Sequence, residues 1–150
     1  MTPMIDRSFI GHEFAPVAAE LEKGRLRFFA RATGNTDPVY SDEAAARAAG
    51  YPSLPAPPTF LFCMEMDRDD PMDFLGMLKV DLGRVLHGEQ NFTYHAPVCA
   101  GDTVTFRTRI SDIYDKKNGA LEFIVMDTEC RNQKGVHVAD MRRSIVVRNG

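Results

Sequence analysis

Pro58-Thr59-Phe60-Leu61-Phe62-Cys63-Met64-Glu65-Met66 is the stretch on which the fold turns. From Phe60 to Met64 every side chain is apolar, with no polar stripe at helical spacing. A helix here is therefore buried all round rather than laid on a surface. Proline suits the first helical position, where its missing N–H would have gone unpaired anyway, so the helix is expected to open at Pro58. From Arg84 onward the period changes from 3.6 to 2, and strands are expected over residues 85–95, 103–114, 120–131 and 136–148. Val104, Phe106, Thr108 and Ile110 alternate with Thr105, Arg107 and Arg109, as in a sheet covered on one face. Asn118-Gly119 is a strong two-residue hairpin signal, and Asn132-Gln133-Lys134-Gly135 makes the next turn. A buried helix followed by four long antiparallel strands predicts a curved sheet wrapped around that helix. The class is α+β, in one domain spanning residues 1–150.

Upstream, Leu26, Phe29, Ala30 and Thr33 fall at i, i+3, i+4 and i+7, which predicts a helix over residues 23–33. Gly34 stands where a left-handed C-cap belongs. A second short helix follows, with Ser41 as its cap, Asp42 and Glu43 at its positive end and Gly50 closing it.

The 150 residues are 44% hydrophobic and 26% charged, ordinary for a globular chain. A net charge of −3 gives no concentrated basic face, so no nucleic acid partner is expected. No apolar run approaches the length of a membrane span. The opening MTPMIDRSFIGHEF lacks the basic-then-apolar order of a secretory leader, so none is expected there. Cys63, Cys99 and Cys130 are odd in number and show no C-x-x-C spacing. That argues against a disulfide framework or zinc site and for a reducing, cytoplasmic setting.

Two further stretches carry a resemblance. FARATGNTDPVYSDEAAARAAGYPSLPAPPTF, from Phe29, and LHGEQNFTYHAPVCAGDTV, from Leu86, together resemble the MaoC-like hydratase/dehydratase family, in particular its N-terminal FAS1-like dehydratase branch. The likeness spans residues 26–112, with separate motifs in the right order. It implies a single hotdog fold, acyl-CoA or acyl-ACP thioesters as ligands, and reversible hydration of enoyl thioesters. It further implies a homodimer, or a heterodimer with another MaoC-like hotdog chain, with the acyl tunnel at the interface. No metal or organic cofactor is implied.

In the family's catalytic branch the loop reads G-D-x-N-P-L-H. The Asp activates water, the His moves the α-carbon proton, and an N–H at the start of the central helix binds the developing enolate oxygen. Here the loop is Gly34-Asn35-Thr36-Asp37-Pro38-Val39-Tyr40. Asn35, at the base position, is a neutral amide. Tyr40, at the acid position, has a reference pKa of about 10. Asp37 is a carboxylate two residues along from the family's base. By counting, the donor glycine falls at about Pro58, which has no N–H; Thr59, just past it, is the replacement donor, beside Phe60. The same family includes paired hotdogs in which one half keeps the Asp/His loop and the other supplies tunnel wall. This chain resembles the second kind of half.

The remaining polar candidates are His87 and Glu89. At strand spacing they share a face with Asn91, Thr93 and His95, and Gly88 permits close backbone approach beside them. The alternative is a solvated outer face, with Leu86, Phe92 and Tyr94 turned inward. His12 and His137 have no partner in sequence. Glu65 supports a rival thioesterase reading, against the alternative that the helix emerges into solvent before Asp67. Arg107, Arg109, Arg142 and Arg143 are candidates for CoA phosphates, or else a solvated sheet face.

Overall fold

The computed structural model describes residues 4–150; residues 1–3, at the head of the opening stretch considered above, lie outside the described residues. Five antiparallel strands form one sheet in the order β1-β3-β4-β5-β2. They are β1 (Val17–Glu20), β2 (Val85–Tyr94), β3 (Thr103–Lys116), β4 (Leu121–Arg131) and β5 (His137–Arg148). The four long strands stand where the period-2 pattern puts them. The short β1, VAAE, carries too little β-branched or aromatic character to announce itself. Pairing with β3, from Val17 opposite Phe106 to Glu20 opposite Thr103, makes it a strand.

Four helices lie against the sheet: α1 (Lys23–Ala32), α2 (Glu43–Ala48), α3 (Phe60–Glu65) and α4 (Asp73–Met77). α1 buries Leu26 and Ala30, and Gly34 follows it at φ 72°. α2 is capped one residue later than expected. The Asp42 carboxylate accepts from the Ala44 N–H at 2.9 Å, while the Ser41 carbonyl is held by Arg27. α3 begins at Phe60, not Pro58, and its N-cap is Thr59 in a left-handed conformation at φ 74°. Such a φ is uncommon for a β-branched residue and marks a constrained turn. The hairpin between β3 and β4 also differs from expectation. Lys116 pairs with Leu121, so the turn holds four residues, with Lys117, Asn118 and Gly119 all at positive φ.

α3 is the buried centre that its composition predicts. Phe60, Leu61 and Met64 pack with Leu26, Leu54, Val104, Phe106 and Met141 in one cluster. A second cluster joins Phe74 and Leu75 of α4 to Ile110, Ile124 and Ile145 of the sheet. Directly opposed residues share a face. The buried alternates of β4 (Ile124, Met126, Thr128 and Cys130) therefore mark the helix-facing side, and the registers carry that side across every strand. The pairs are Phe106–Cys130, Thr108–Thr128 and Ile110–Met126 between β3 and β4, and Met141–Thr128, Arg143–Met126 and Ile145–Ile124 between β5 and β4.

Candidate functional site

A bulge decides what β2 can offer. His87 opposes Ile145 and Glu89 opposes Ser144, with Gly88 as the extra residue. An inserted residue shifts the alternation, so the side chains on its two sides face opposite ways. His87 lies on the helix-facing side with Gln90, Phe92 and Tyr94, and its ring stacks on Phe62 of α3 at 5.7 Å and 14°. Glu89 lies on the outer face with Asn91 and Thr93, opposite Ser144, Arg142 and Asp140. The expected His87–Glu89 pair on one face is thus corrected: plain alternation assumes an unbroken ladder, and Gly88 breaks it. The same shift turns Leu86 outward, while Phe92 and Tyr94 point inward as expected.

Gly88 itself has a steric reason. A Cβ there would stand 2.7 Å from Val146 Cγ2 and 3.1 Å from the Ser144 carbonyl oxygen. Gly88→Ala is expected to destabilise the fold by about 1–3 kcal/mol, as overpacking does. Urea unfolding checks this, and an unchanged midpoint would mean that β2 yields freely.

The loop after α1 uses its polar groups on itself. The Asn35 side-chain oxygen accepts from the Asp37 N–H at 3.2 Å. The Asp37 carboxylate accepts from the Val39 N–H at 3.0 Å, capping a one-turn 3₁₀ helix, Pro38–Tyr40. Tyr40 is half-buried. Burial pushes its phenol above the ordinary tyrosine value, and nearby Tyr51, Asp37 and Tyr94 push it the same way. At neutral pH it is a hydrogen-bond donor and not a base.

That tyrosine group meets the start of α3. The Thr59 N–H donates to the Tyr94 hydroxyl oxygen at 2.8 Å. Pro58 has no N–H to give, but the left-handed backbone of a glycine-like position falls at Thr59, and the N–H there points at an oxygen. Tyr94 and Tyr51 were not singled out in the sequence. Their only signal was that an aromatic residue at the end of β2 and another after Gly50 converge once the fold is closed. Phe60, by contrast, is core: its ring meets Phe29 edge-on at 5.1 Å.

Glu65 does not emerge into solvent. It is 8% exposed and accepts from Thr108 Oγ1 at 2.8 Å and Thr128 Oγ1 at 3.0 Å. A carboxylate facing the sheet beneath its own helix is not open to a thioester carbonyl, which removes the geometric basis of the thioesterase reading. Nearby, Arg143 is 6% exposed. It lies 5.6 Å over the Phe74 ring and donates to the sulfurs of Met66 and Met126 at 3.3 and 3.4 Å. Burial lowers its pKa, and the Glu65 charge opposes that shift. Arg143 therefore cannot meet a phosphate in solvent.

The other arginines lie on the outer face. Arg107 is exposed opposite Glu129, while Arg142 forms a two-point bond to Asp127 at 2.6 and 2.9 Å, joined by Arg109 at 3.6 Å. These residues line a surface depression of about 950 Å³, edged by Glu13, Asn91 and Asp140. It is on the side of the sheet away from α3. Arg107 is thereby separated from Thr59, since the β3–β4 register sends it outward.

Comparison with known proteins bears on the family and the fold. Residues 8–141 match the family model described as "FAS1-like, dehydratase domain region". A UPF0336 protein of Saccharopolyspora erythraea is 35% identical over 145 residues, covering 96% of this chain and 92% of that protein. Among solved structures, the chain resembles the C-terminally truncated HadBC complex of Mycobacterium tuberculosis, a 3R-hydroxyacyl-ACP dehydratase. The identity is 29% and the TM-score 0.78, over 92% of this chain and 96% of that one. It also resembles the ChsH1-ChsH2 complex of the same organism, at 26% identity and TM-score 0.73, over 91% and 88% of the two chains. No helix among the described residues is long and apolar enough to cross a membrane. With its sheet curved around α3 and its family model matched over most of its length, the chain belongs to the FAS1-like dehydratase branch of the MaoC-like hotdog family.

Proposed function

We propose that this chain is one hotdog of a two-hotdog 3-hydroxyacyl-thioester dehydratase (in reverse, an enoyl-thioester hydratase), and that a partner chain carries the acid and base. One observation carries the reading. Where the family keeps its base and acid stand an amide that holds the loop (Asn35) and a phenol held protonated by burial (Tyr40), while the nearby carboxylate, Asp37, caps a turn. The bulge at Gly88 takes Glu89 away from His87, so these two do not replace them as an acid–base pair. What remains suits a binding half: an apolar helix, a backbone donor at Thr59, and the Tyr94 hydroxyl that accepts from it.

The free edge of β2 supports the partner. Among the described residues β2 pairs only with β5, and Leu86 and Tyr94, on its two faces, are 49% and 50% exposed. A second hotdog chain pairing there would extend the sheet through the free backbone groups of β2. The HadBC and ChsH1-ChsH2 structures are complexes by name, in keeping with that reading.

The test is hydration of crotonyl-CoA and of a longer enoyl-CoA by the homogeneous chain. Turnover is expected to lie far below the common enzyme range of about 1–1000 per second. Mixing with a MaoC-like chain bearing an intact G-D-x-N-P-x-H loop is expected to give a one-to-one complex and full turnover. Ordinary turnover by the isolated chain would overturn the proposal.

A further inference from the structure

On the outer face, away from α3, two histidines and an aspartate converge. His95 Nε2 lies 2.7 Å from one carboxylate oxygen of Asp140, and His137 Nε2 lies 2.8 Å from the other. The two rings are 4.4 Å apart, centre to centre. One ligand atom from each of the three residues falls within 4.8 Å of the others. We propose that His95, His137 and Asp140 form a binding site for a divalent transition-metal ion of the zinc type, tying the end of β2 to the start of β5.

The backbone explains how the three residues come together. His137 and Asp140 are three apart on one strand, a spacing that plain alternation sends to opposite faces. In the β4–β5 ladder Cys130 opposes Ala139 and Arg131 opposes His137, so Val138 is an inserted residue. The bulge turns His137 to the side of Asp140, as bulges re-aim side chains elsewhere. The Val138 carbonyl then accepts from both His95 and Ala96, at 2.9 and 3.2 Å. This fixes the chain just past β2 and sets His95 beside Asp140. The inserted Val138 thus serves both histidines, turning His137 and holding His95.

The donor set fits. Imidazole nitrogens and one carboxylate oxygen, with water completing the shell, suit zinc and its neighbours. Ligand atoms around a tetrahedral ion with bonds of about 2.1 Å stand about 3.4 Å apart. The present Nε2–oxygen separations of 2.7 and 2.8 Å would open by about 0.6–0.7 Å, within reach of side-chain rotation. Asp140 and both histidines are partly exposed, with side-chain exposures of 47%, 38% and 35%, so an ion has access. The field is favourable too: one carboxylate faces two imidazoles, and Glu129 stands directly opposite Asp140 on β4. Glu129 itself is tied to Arg131 at 2.6 Å, which leaves the three-residue set as the ligands.

This site is independent of the acyl-binding reading, and its test needs no turnover. The full chain, free of any affinity tag, is stripped with EDTA, dialysed, and titrated with Zn²⁺ against a chromogenic chelator. One ion per chain at micromolar affinity is expected. His95→Ala, His137→Ala and Asp140→Asn should each weaken binding at least about tenfold, since even changes to outer-shell partners cost about that. His12→Ala and His87→Ala serve as controls and should bind like wild type. Should a variant misfold, amide shifts of the wild-type chain decide: Zn²⁺ should move residues 93–96 and 136–140 in a saturable manner. Non-saturable binding, shifts centred elsewhere, or unchanged affinity in folded His95→Ala and His137→Ala would overturn the proposal.

Discussion

Replacing Asn35 by Asp and Tyr40 by His together is expected to raise hydration of an enoyl-CoA by the isolated chain less than about tenfold. Adding Tyr94→Phe to that pair is expected to raise it about a further 100-fold or more. The double change supplies a carboxylate and an imidazole, but general acid–base groups achieve little while the enolate oxygen has no donor waiting. The donor exists in the Thr59 N–H, and the Tyr94 hydroxyl sits on it at 2.8 Å. A phenylalanine keeps the ring, which stacks on Phe92 at 5.9 Å, and removes only the oxygen. Pro58→Gly, which counting along the sequence recommends, should contribute little, because the N–H it restores belongs to the residue before the left-handed turn. The measurement is initial rate at equal folded concentration for the double, triple and Pro58→Gly variants. A double variant as fast as the triple would show that substrate displaces Tyr94 unaided.

Glu65→Ala is expected to lower stability by about 3 kcal/mol, as loss of one member of a buried charged network does. For a chain of this size that corresponds to about 6–12 °C in the unfolding midpoint. Two effects add. The Thr108 and Thr128 hydroxyls lose their shared acceptor, and the buried Arg143 guanidinium loses the carboxylate charge that opposes its desolvation. The double variant Glu65→Leu/Arg143→Met should recover more than half of the loss, because apolar replacement of both charges removes the penalty instead of stranding one. Thermal unfolding of the three proteins separates these terms. A Glu65→Ala protein as stable as wild type would mean that the network is solvated in practice.

The four long strands and the buried helix were legible because each is an extended pattern. Period 2 over ten or more residues, or an unbroken apolar run, survives one local irregularity. The site was less legible because irregularities are what build it. Gly88 and Val138 each add one residue to a ladder; the first inverts the His87–Glu89 face assignment made by counting, and the second brings His137 to the side of Asp140. Thr59 adopts a backbone that composition assigns to glycine, which moved the helix start from Pro58 to Phe60. Glu65, one step past the last apolar residue of its run, looks like the first solvated position. It is buried because Thr108 and Thr128 wait beneath it, forty or more residues away in the chain. The family loop was readable as departures from a motif, but what Asn35 and Asp37 do instead, holding and capping the loop, depends on backbone geometry alone.

Among the described residues β2 has no strand partner along its outer edge; the bulge at Gly88 and the charge of Glu89 interrupt that edge, but no proline and no lysine stands between Val85 and Tyr94. Native sheets ordinarily guard such edges, because any other strand is a template match. On the two-hotdog reading proposed above, a copy of this chain made in excess of its partner is an orphan, its edge open to its own kind and to nascent chains. Matched production of the two chains would then be a requirement of solubility before it is a requirement of catalysis.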